Sequence, residues 1–273
     1  LEIKLAERGH KVTTYTAADH EFGWYKGIDQ RYSTAHMATE QKNLDVVIAC
    51  RSPWLVRNPE MKIPVWAWHQ DNGYGNSWQW SPEVANKLAG NLHVSKWAQD
   101  GLIRELGTAA GNHFVLGNGV SKETTAWAAK PPERNPLRVV YASDPLRGLS
   151  TLIDIWPEVL KVHPTAELHT FCGWVVIISL AQSAPGAPNY TEMHNIQRKL
   201  SASPNTTNHD WVSQPVLLDF LPTCNLYVYP GGPMPEGFGV SLAQAQASGC
   251  RVVCKPEGAL PEVLGEFPTY ANY

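Results

Sequence analysis

PGGPMPEGFGVSLAQAQASGCRVVC, Pro230–Cys254, is the stretch of this sequence that decides its fold. The apolar run Leu226–Tyr229 comes directly before it and predicts a buried strand. A helical pattern follows the loop from about Val240 to Ser248, and Gly249 stands where a helix C-cap glycine belongs. Val252–Cys254 predicts the next buried strand. The stretch is therefore one β–loop–α–β unit.

The loop in this unit suits an anionic ligand. Glycines at a helix start leave backbone N–H groups and the positive helix end facing whatever binds there, which favours a diphosphate. Glu236 lies in the same loop, where its charge would repel a phosphate on its own. A carboxylate fits a ligand in which the phosphate is joined to a group with hydroxyls, such as a sugar.

The loop resembles the donor-site signature of the retaining glycosyltransferases of family four, which have the GT-B fold. Their signature is Glu-Gly-Phe-Gly, with a second Glu eight positions after the first. Glu236 begins the match, and Gln244 replaces the second acid. The resemblance implies that Glu236 is catalytic and holds the donor sugar. It also implies donor-binding roles for Gly237, Phe238, Gly239, Val240 and Gln244, although Gln bonds ribose hydroxyls without charge assistance.

Matches to the same family flank the signature. Strand Val139–Ser143, helix Ser150–Leu160 and strand Glu167–Phe171 look like the opening β–α–β of its nucleotide-binding domain. In the turn between the first strand and the helix, Arg147 takes the place of the basic residue that contacts the donor diphosphate, which implies a catalytic role for Arg147. Ser143 stands where the family usually has another Arg. Further resemblances are Val94–Trp97, Asn118–Val120 and His209–Ser213, the last implying that Trp211 packs on the nucleotide base.

An aromatic cluster, Trp66–Trp80, suggests an acceptor site. Indole faces stack on the C–H faces of sugars, and the polar loop follows a predicted strand that ends near His69. The family resemblance places His69 near the reacting sugar, as a catalytic residue. We expect Asp71, Trp78 and Trp80 on the acceptor side, whereas Trp66 and Trp68 fit the protein core equally well.

Strands that alternate with helical patterns predict an α/β fold with two Rossmann-like domains facing across a cleft. The resemblance implies that this arrangement is of the GT-B type. Residues 1–130 are the expected acceptor-side domain, 131–136 a proline-rich linker and 137–273 the donor-binding domain. The chain opens with a helix, and the resemblance implies that the N-terminal domain lacks its first strand and that the chain is shortened at both ends. Segments Ser183–Pro188 and Ser201–His209 are predicted to be irregular loops.

Composition excludes several classes of protein. A net charge of −3 with no basic stripe argues against nucleic-acid binding. No apolar run reaches membrane-spanning length, and no signal peptide is visible. Five cysteines, an odd number, favour reduced thiols and a cytoplasmic location. No metal-ligand set or Asp-x-Asp triplet occurs in the sequence, so we expect no metal.

The sequence therefore predicts an enzyme. The resemblance implies retaining, metal-independent transfer of a sugar from a nucleotide-diphosphate sugar to a glycan or other hydroxyl acceptor. We expect no cofactor, and a UDP-sugar is favoured over a GDP-sugar as donor. Two alternatives stay open at this point. One is a non-catalytic nucleotide-sugar-binding protein, and the other is a sugar-nucleotide epimerase or a similar enzyme on the same fold.

Overall fold

The computed structural model describes residues 2–16, 23–25, 28–32, 44–51, 53–59, 61–70, 81–107, 111–130, 132–174 and 188–265. The strands are β1 Val12–Thr16, β2 Gly23–Tyr25, β3 Ile28–Tyr32, β4 Val47–Cys50, β5 Val65–His69, β6 Gly90–His93, β7 His113–Val115, β8 Asn135–Tyr141, β9 Glu167–Thr170, β10 Thr206–Asn208, β11 Cys224–Tyr229 and β12 Arg251–Cys254. The α-helices are α1 Glu2–Glu7, α2 Pro82–Lys87, α3 Lys96–Leu106, α4 Leu149–Val162, α5 Pro188–Ala202, α6 Gln214–Phe220, α7 Val240–Ala247 and α8 Leu260–Leu264. Short 3-10 helices cover Pro53–Arg57, Lys122–Ala129 and Leu221–Thr223.

The chain divides into two compact units. Unit 1 holds the described residues of Leu1–His69, Tyr74–Leu92 and Leu106–Phe114. Unit 2 holds those of Gln70–Gly73, His93–Glu105 and Val115–Tyr273. This division follows contacts in space and interleaves along the sequence. The sequence-based domain boundaries, with a linker at 131–136, stay a prediction.

Unit 2 is built on a parallel five-stranded sheet in the order β10-β9-β8-β11-β12. From β8 the chain steps outward to β9 and β10, then returns to the other side of β8 with β11 and β12. Connections from neighbouring strands β8 and β11 therefore leave in opposite directions. In open α/β sheets, ligands bind at the carboxyl ends of the strands at such a switch point.

The helices of unit 2 cover this sheet with apolar faces. In α4 the buried side chains recur at a helical spacing of three and four residues, at Leu149, Leu152, Ile153 and Trp156. They join the buried strand residues in one continuous core. Apart from the first strand, the predicted helices and strands of this half are confirmed within about two residues at each end.

The first half of the chain carries two smaller sheets. One has the order β1-β3-β2, with β1 and β3 parallel and β2 antiparallel to β3. The other has the order β4-β5-β6-β7, with β4 and β5 parallel. Along β5 the buried residues alternate, at Val65, Ala67 and His69, which fixes one face of this sheet towards the core.

Two local predictions need correction. Ser201–His209 is not an irregular loop, because α5 continues to Ala202 and Thr206–Asn208 pairs with β9 as the edge strand β10. The strand expected at Val139–Ser143 instead spans Asn135–Tyr141, because its start pairs with Cys224 of β11. Most of the predicted loop Ser183–Pro188 lies outside the described residues.

No disulfide joins the cysteines. Cys172, Cys224, Cys250 and Cys254 are buried, whereas Cys50 is exposed. Burial raises the pKa of the Cys172 thiol to about 12 and that of Cys250 to about 11, so these thiols stay protonated. Within the described ranges, no helix is both long and apolar enough to cross a membrane.

Candidate functional site

Two loops meet at the switch point of the unit 2 sheet. The arginine loop, Ser143–Gly148, follows β8, and the glycine loop, Pro230–Gly239, follows β11. The Tyr141 hydroxyl donates to the backbone oxygens of Asp144, at 2.6 Å, and Arg147, at 3.1 Å. The Arg147 N–H donates to the Asp144 oxygen at 2.9 Å. The arginine loop is thus a tight turn fixed from below by a buried phenol.

The two loops touch through their backbones at Gly148. This residue has φ +87°, and a Cβ added there would lie 2.4 Å from the Gly231 oxygen and 2.8 Å from Cβ of Pro230. Only glycine allows so close an approach at this φ. On the other side of the contact, a Cβ at Gly232 would lie 3.2 Å from Cγ of Arg147. The stem of Arg147 therefore runs over the start of the glycine loop.

This packing brings the two predicted catalytic residues of unit 2 together. The Arg147 guanidinium forms an ion pair through Nη1 with Oε1 of Glu236. The hydroxyl of Tyr229, the last residue of β11, donates to the same oxygen at 2.6 Å and lies 3.5 Å from Nη1 of Arg147. Tyr229 is 1% exposed, whereas the side chains of Arg147 and Glu236 are 39% and 17% exposed. The cluster therefore has a buried base and a solvent-facing top.

The protonation states in this cluster follow from its contacts. Burial opposes the charged form of Arg147, but the hydrogen bond to Tyr229 and the charge of Glu236 outweigh it and raise its pKa. Burial, together with the bond to the Glu236 carboxylate, raises the pKa of Tyr229. Arg147 is thus a permanent cation and Tyr229 a permanent hydrogen-bond donor.

The glycine loop is held in place by neighbours from distant parts of the sequence. The buried Ser95 hydroxyl donates to the Gly237 oxygen at 2.7 Å and accepts from the N–H of Ala98 at 3.0 Å. The Ala259 N–H donates to the backbone oxygen of Glu236 at 2.8 Å. Ser95 belongs to Val94–Trp97, one of the segments that resemble the family. In the structure this segment supports the glycine loop.

A glutamate side chain caps the helix that begins in the same Val94–Trp97 segment. The Glu262 carboxylate accepts from the first N–H groups of α3, at 2.5 Å from Lys96 and 3.0 Å from Trp97. An acidic side chain there satisfies orphan donors and complements the positive helix end. The start of α3 is therefore attached to α8 as well as to the glycine loop.

Comparison with known proteins rests on structure alone, because neither a family model nor a curated sequence matches this chain. The sucrose-phosphate synthase of Thermosynechococcus elongatus is similar over 95% of this chain and 74% of its own, with a TM-score of 0.69 and 13% identity. A glycosyltransferase from Rickettsia africae is similar over 96% and 75%, with a TM-score of 0.69 and 13% identity. The pneumococcal O-GlcNAc transferase GtfA, solved with UDP and GlcNAc, is similar over 82% and 46%, with a TM-score of 0.59 and 13% identity.

This chain has the GT-B fold. The predicted α/β fold of the GT-B type is therefore confirmed, whereas the cleft between the two domains stays a prediction. Within it, the parallel sheet of unit 2 is the Rossmann-like sheet that was predicted to carry the donor site, with α4 and α5 following its first two strands.

Other predicted donor residues of this GT-B chain lie on the elements around the switch point. Ser143 is half-buried after β8, and Phe238 and Val240 lie at the end of the glycine loop and the start of α7. Oε1 of Gln244, on the second turn of α7, accepts from Nε2 of Gln214 at 3.1 Å. The predicted contact of Gln244 with the ribose stays a prediction. In the structure, its side-chain oxygen already accepts a hydrogen bond from Gln214.

The segment after β10 presents Trp211 to solvent. Trp211 is 70% exposed, and a Cβ at Gly173 would lie 3.5 Å from its Cδ1. Just before it, the His209 ring stacks on Phe171 with centroids 4.3 Å apart, and its Nε2 lies 2.9 Å from Nδ1 of His169. The base-packing role predicted for Trp211 remains a prediction, and the indole is accessible for it.

The GT-B acceptor-side predictions begin with His69, in unit 1. His69 ends β5, is 1% exposed, and has Nε2 3.0 Å from Oδ1 of Asn91. Burial lowers its pKa to about 4, partly offset by the bond to Asn91, so the imidazole is neutral at pH 7. Asp71, Trp78 and Trp80 lie outside the described residues.

No cluster of three or more His, Cys, Asp or Glu side chains suited to a metal ion occurs within the described ranges. Sequence reasoning missed Tyr229, Ser95 and Glu262 as parts of the site. Tyr227 and Tyr229 are two residues apart on β11, so both phenols lie on one face of the strand, which is a signal that the sequence contains. Which phenol meets Glu236 depends on the fold of the glycine loop.

Proposed function

We propose that this chain is a glycosyltransferase that moves a sugar from a nucleotide-diphosphate sugar to a glycan or another hydroxyl acceptor. The observation that carries this proposal is the contact of Arg147 and Glu236 above the buried Tyr229, at the switch point of a parallel sheet. A cation for phosphates and a carboxylate for sugar hydroxyls are the two groups that such a donor requires. The UDP named in the GtfA structure, and in that of TarM from S. aureus, supports the donor class.

Each group has a role in the proposed transfer. The backbone amides of Gly237–Gly239 and the Arg147 guanidinium stabilise the diphosphate as negative charge develops on it. Arg147 has five N–H donors, and its hydrogen bonds to Glu236 and Tyr229 use only Nη1. The remaining donors suit phosphate oxygens. Glu236 accepts hydrogen bonds from donor-sugar hydroxyls and stabilises positive charge on the sugar.

We propose that transfer proceeds with retention and without a metal. The acceptor oxygen bonds to the anomeric carbon as the bond from that carbon to the diphosphate oxygen breaks, and the departing phosphate takes the acceptor proton. The fixed charge of Arg147 stands where a metal would otherwise neutralise the diphosphate. A UDP-sugar is the favoured donor, with Gln244 at its ribose, Trp211 against its base, and Ser143 in the donor site where the family usually has a second Arg. The proposed location of the enzyme is cytoplasmic.

On the acceptor side, His69 is proposed to lie near the reacting sugar as a buried, neutral imidazole. Its lowered pKa makes it a poor general acid at neutral pH. Asp71, Trp78 and Trp80 are proposed to contact the acceptor, the indoles by stacking on sugar faces.

The test is a panel of UDP- and GDP-sugars, with release of nucleoside diphosphate measured with and without sugar acceptors. We expect release from at least one donor, unchanged by a metal chelator, and an anomeric configuration retained in the product. Glu236→Ala should lower turnover by at least about a hundredfold, the scale lost with a key electrostatic group.

Glu158→Ala is the matched control, because among the described residues that exposed carboxylate pairs with Lys161 alone, on the surface of α4. Glu236→Ala should leave binding of the nucleoside diphosphate nearly unchanged. Binding without release in the wild-type protein would indicate a non-catalytic nucleotide-sugar-binding protein. Altered sugar stereochemistry in the unreacted donor would indicate an epimerase.

A further inference from the structure

We infer that Tyr229 is a positioning residue that fixes the orientation of the Glu236 carboxylate towards the donor sugar. This inference rests on the proposed function and adds to it a residue outside the glycine loop. Tyr229 belongs to the strand, so the loop that carries Glu236 is oriented by the sheet beneath it.

The position of Tyr229 is set by strand geometry. Tyr227 and Tyr229 point to the same face of β11, because side chains alternate along a strand. The Tyr227 hydroxyl is used inside the core, where it donates to the Ala142 oxygen at 2.7 Å and meets Oγ of Ser241 at 2.9 Å. The Tyr229 hydroxyl, one step closer to the carboxyl end, reaches the glycine loop instead.

The three groups of the cluster allow a single arrangement of protons. A carboxylate only accepts hydrogen bonds and a guanidinium only donates them. The Tyr229 hydroxyl therefore donates to Oε1 of Glu236 and turns its lone pairs towards Nη1 of Arg147. A phenol is the side chain that satisfies both neighbours at once, since Phe has neither function.

This arrangement leaves one carboxylate oxygen for a ligand. Oε1 of Glu236 receives both hydrogen bonds, from Arg147 and from Tyr229. Oε2 has no hydrogen-bond partner among the described residues, and the Glu236 side chain is 17% exposed. Because two hydrogen bonds hold Oε1, the orientation of the carboxylate is fixed. Oε2 then points in one direction, where it can accept a hydrogen bond from a donor-sugar hydroxyl.

Tyr229 also matters when a diphosphate approaches Arg147. The phosphate charge competes with Glu236 for the guanidinium, because both are anions. The Tyr229 hydroxyl is uncharged and belongs to a buried residue, so a phosphate does not compete for it. Its hydrogen bond therefore holds Glu236 in place while Arg147 donates its other N–H groups to the phosphate. Without it, the carboxylate would be attached only to the residue that the ligand engages.

The experiment compares Tyr229→Phe with Tyr227→Phe, alone and in the Glu236→Ala background. Each of the two substitutions removes one phenol hydroxyl, and both residues lie on strand β11. We measure turnover with the active nucleotide sugar and binding of the matching nucleoside diphosphate by calorimetry. Thermal unfolding reports the fold of each variant.

Tyr229→Phe should lower kcat by roughly tenfold, the scale of one hydrogen bond to a charged group. Its dissociation constant for the nucleoside diphosphate should stay within about twofold, because that ligand has no sugar for Glu236 to hold. In the Glu236→Ala background, Tyr229→Phe should cause no further loss of turnover, since Tyr229 acts through Glu236. Tyr227→Phe should lower thermal stability while leaving kcat near the wild-type value.

Several results would overturn the inference. An equal loss of kcat in the presence and absence of Glu236 would show that Tyr229 does not act through it. An unchanged kcat, or a loss of fold in Tyr229→Phe alone, would leave Tyr229 with a structural role only. If the wild-type protein releases nucleoside diphosphate from no donor, the proposed function fails and the inference fails with it. A wild-type protein that is active while Tyr229→Phe is unaffected contradicts only the inference.

Discussion

Replacing Gly148 with alanine would place a methyl group where the arginine loop meets the glycine loop. The substitution has two separate costs. At φ +87° a residue with a Cβ is strained by about 1–2 kcal/mol. The new Cβ would also lie 2.4 Å from the Gly231 oxygen, a backbone atom that cannot rotate away. Overpacking of this kind typically costs about 1–3 kcal/mol.

We therefore expect Gly148→Ala to lower the free energy of unfolding by about 2–5 kcal/mol, out of the roughly 5–15 kcal/mol typical of a domain. Gly173→Ala is the matched control in the same unit. Gly173 follows β9 as Gly148 follows the turn after β8, and it also has a positive φ, +61°. The nearest atom to its added Cβ is Cδ1 of Trp211 at 3.5 Å, an ordinary contact, so only the strain of about 1–2 kcal/mol should remain.

Urea denaturation followed by circular dichroism measures both variants against the wild-type protein. The difference between them isolates the clash with the glycine loop. Equal losses for the two variants would refute the reasoning, because the Gly231 carbonyl would then yield at no cost. The two loops would in that case not be rigidly packed, and the fixed geometry of Arg147 would lose its basis.

Three further predictions test other parts of the structure. Gln244→Glu should leave binding of the nucleoside diphosphate unchanged or tighter by calorimetry, because a carboxylate still accepts from Gln214 and bonds ribose hydroxyls more strongly; binding about tenfold weaker, or roughly 1.4 kcal/mol, would contradict a ribose contact. Acidification from about pH 7.5 to about pH 4.5 should remove about 2–3 kcal/mol of stability through His69, whose pKa falls from 6.5 when unfolded to about 4 when folded, so the unfolded state takes up the proton first. That part of the pH dependence should vanish in His69→Gln, and a steep residual slope identical to the wild type would exclude a buried neutral imidazole. Ser95→Ala should cost about 1–3 kcal/mol in urea denaturation, because a buried carbonyl of the glycine loop loses its donor, and a loss below about 0.5 kcal/mol would mean that the loop does not depend on this bond.

The sequence was sufficient to predict the parallel sheet of unit 2 and the two charged residues at its switch point. Arg147 and Glu236 were predicted from the resemblance of their loops to the family pattern. Each loop follows a strand of the parallel sheet, and the carboxyl ends of parallel strands share one edge of the sheet. Their contact depends on a short glycine turn after each strand, which the sequence displays at Gly148 and in the glycine loop.

The missed features depend on long-range packing. Strand β10 was missed because its sequence, Thr206–Asn208, lies among Ser, Pro and Asn residues that favour turns, and its pairing with β9 alone makes it a strand. The Glu262 cap joins residues more than a hundred positions apart, and no local pattern announces it. Tyr229 looked like an ordinary strand aromatic, because the partner of its hydroxyl is set by a loop conformation that periodicity does not describe.

The unequal exposure of the cysteines gives this chain a ready-made labelling position. Cys172, Cys224, Cys250 and Cys254 are buried with raised pKa values, so they are poor nucleophiles towards thiol reagents at neutral pH. Cys50, at the end of β4 in unit 1, is exposed. A maleimide dye should therefore attach at one place in the native protein without engineered substitutions.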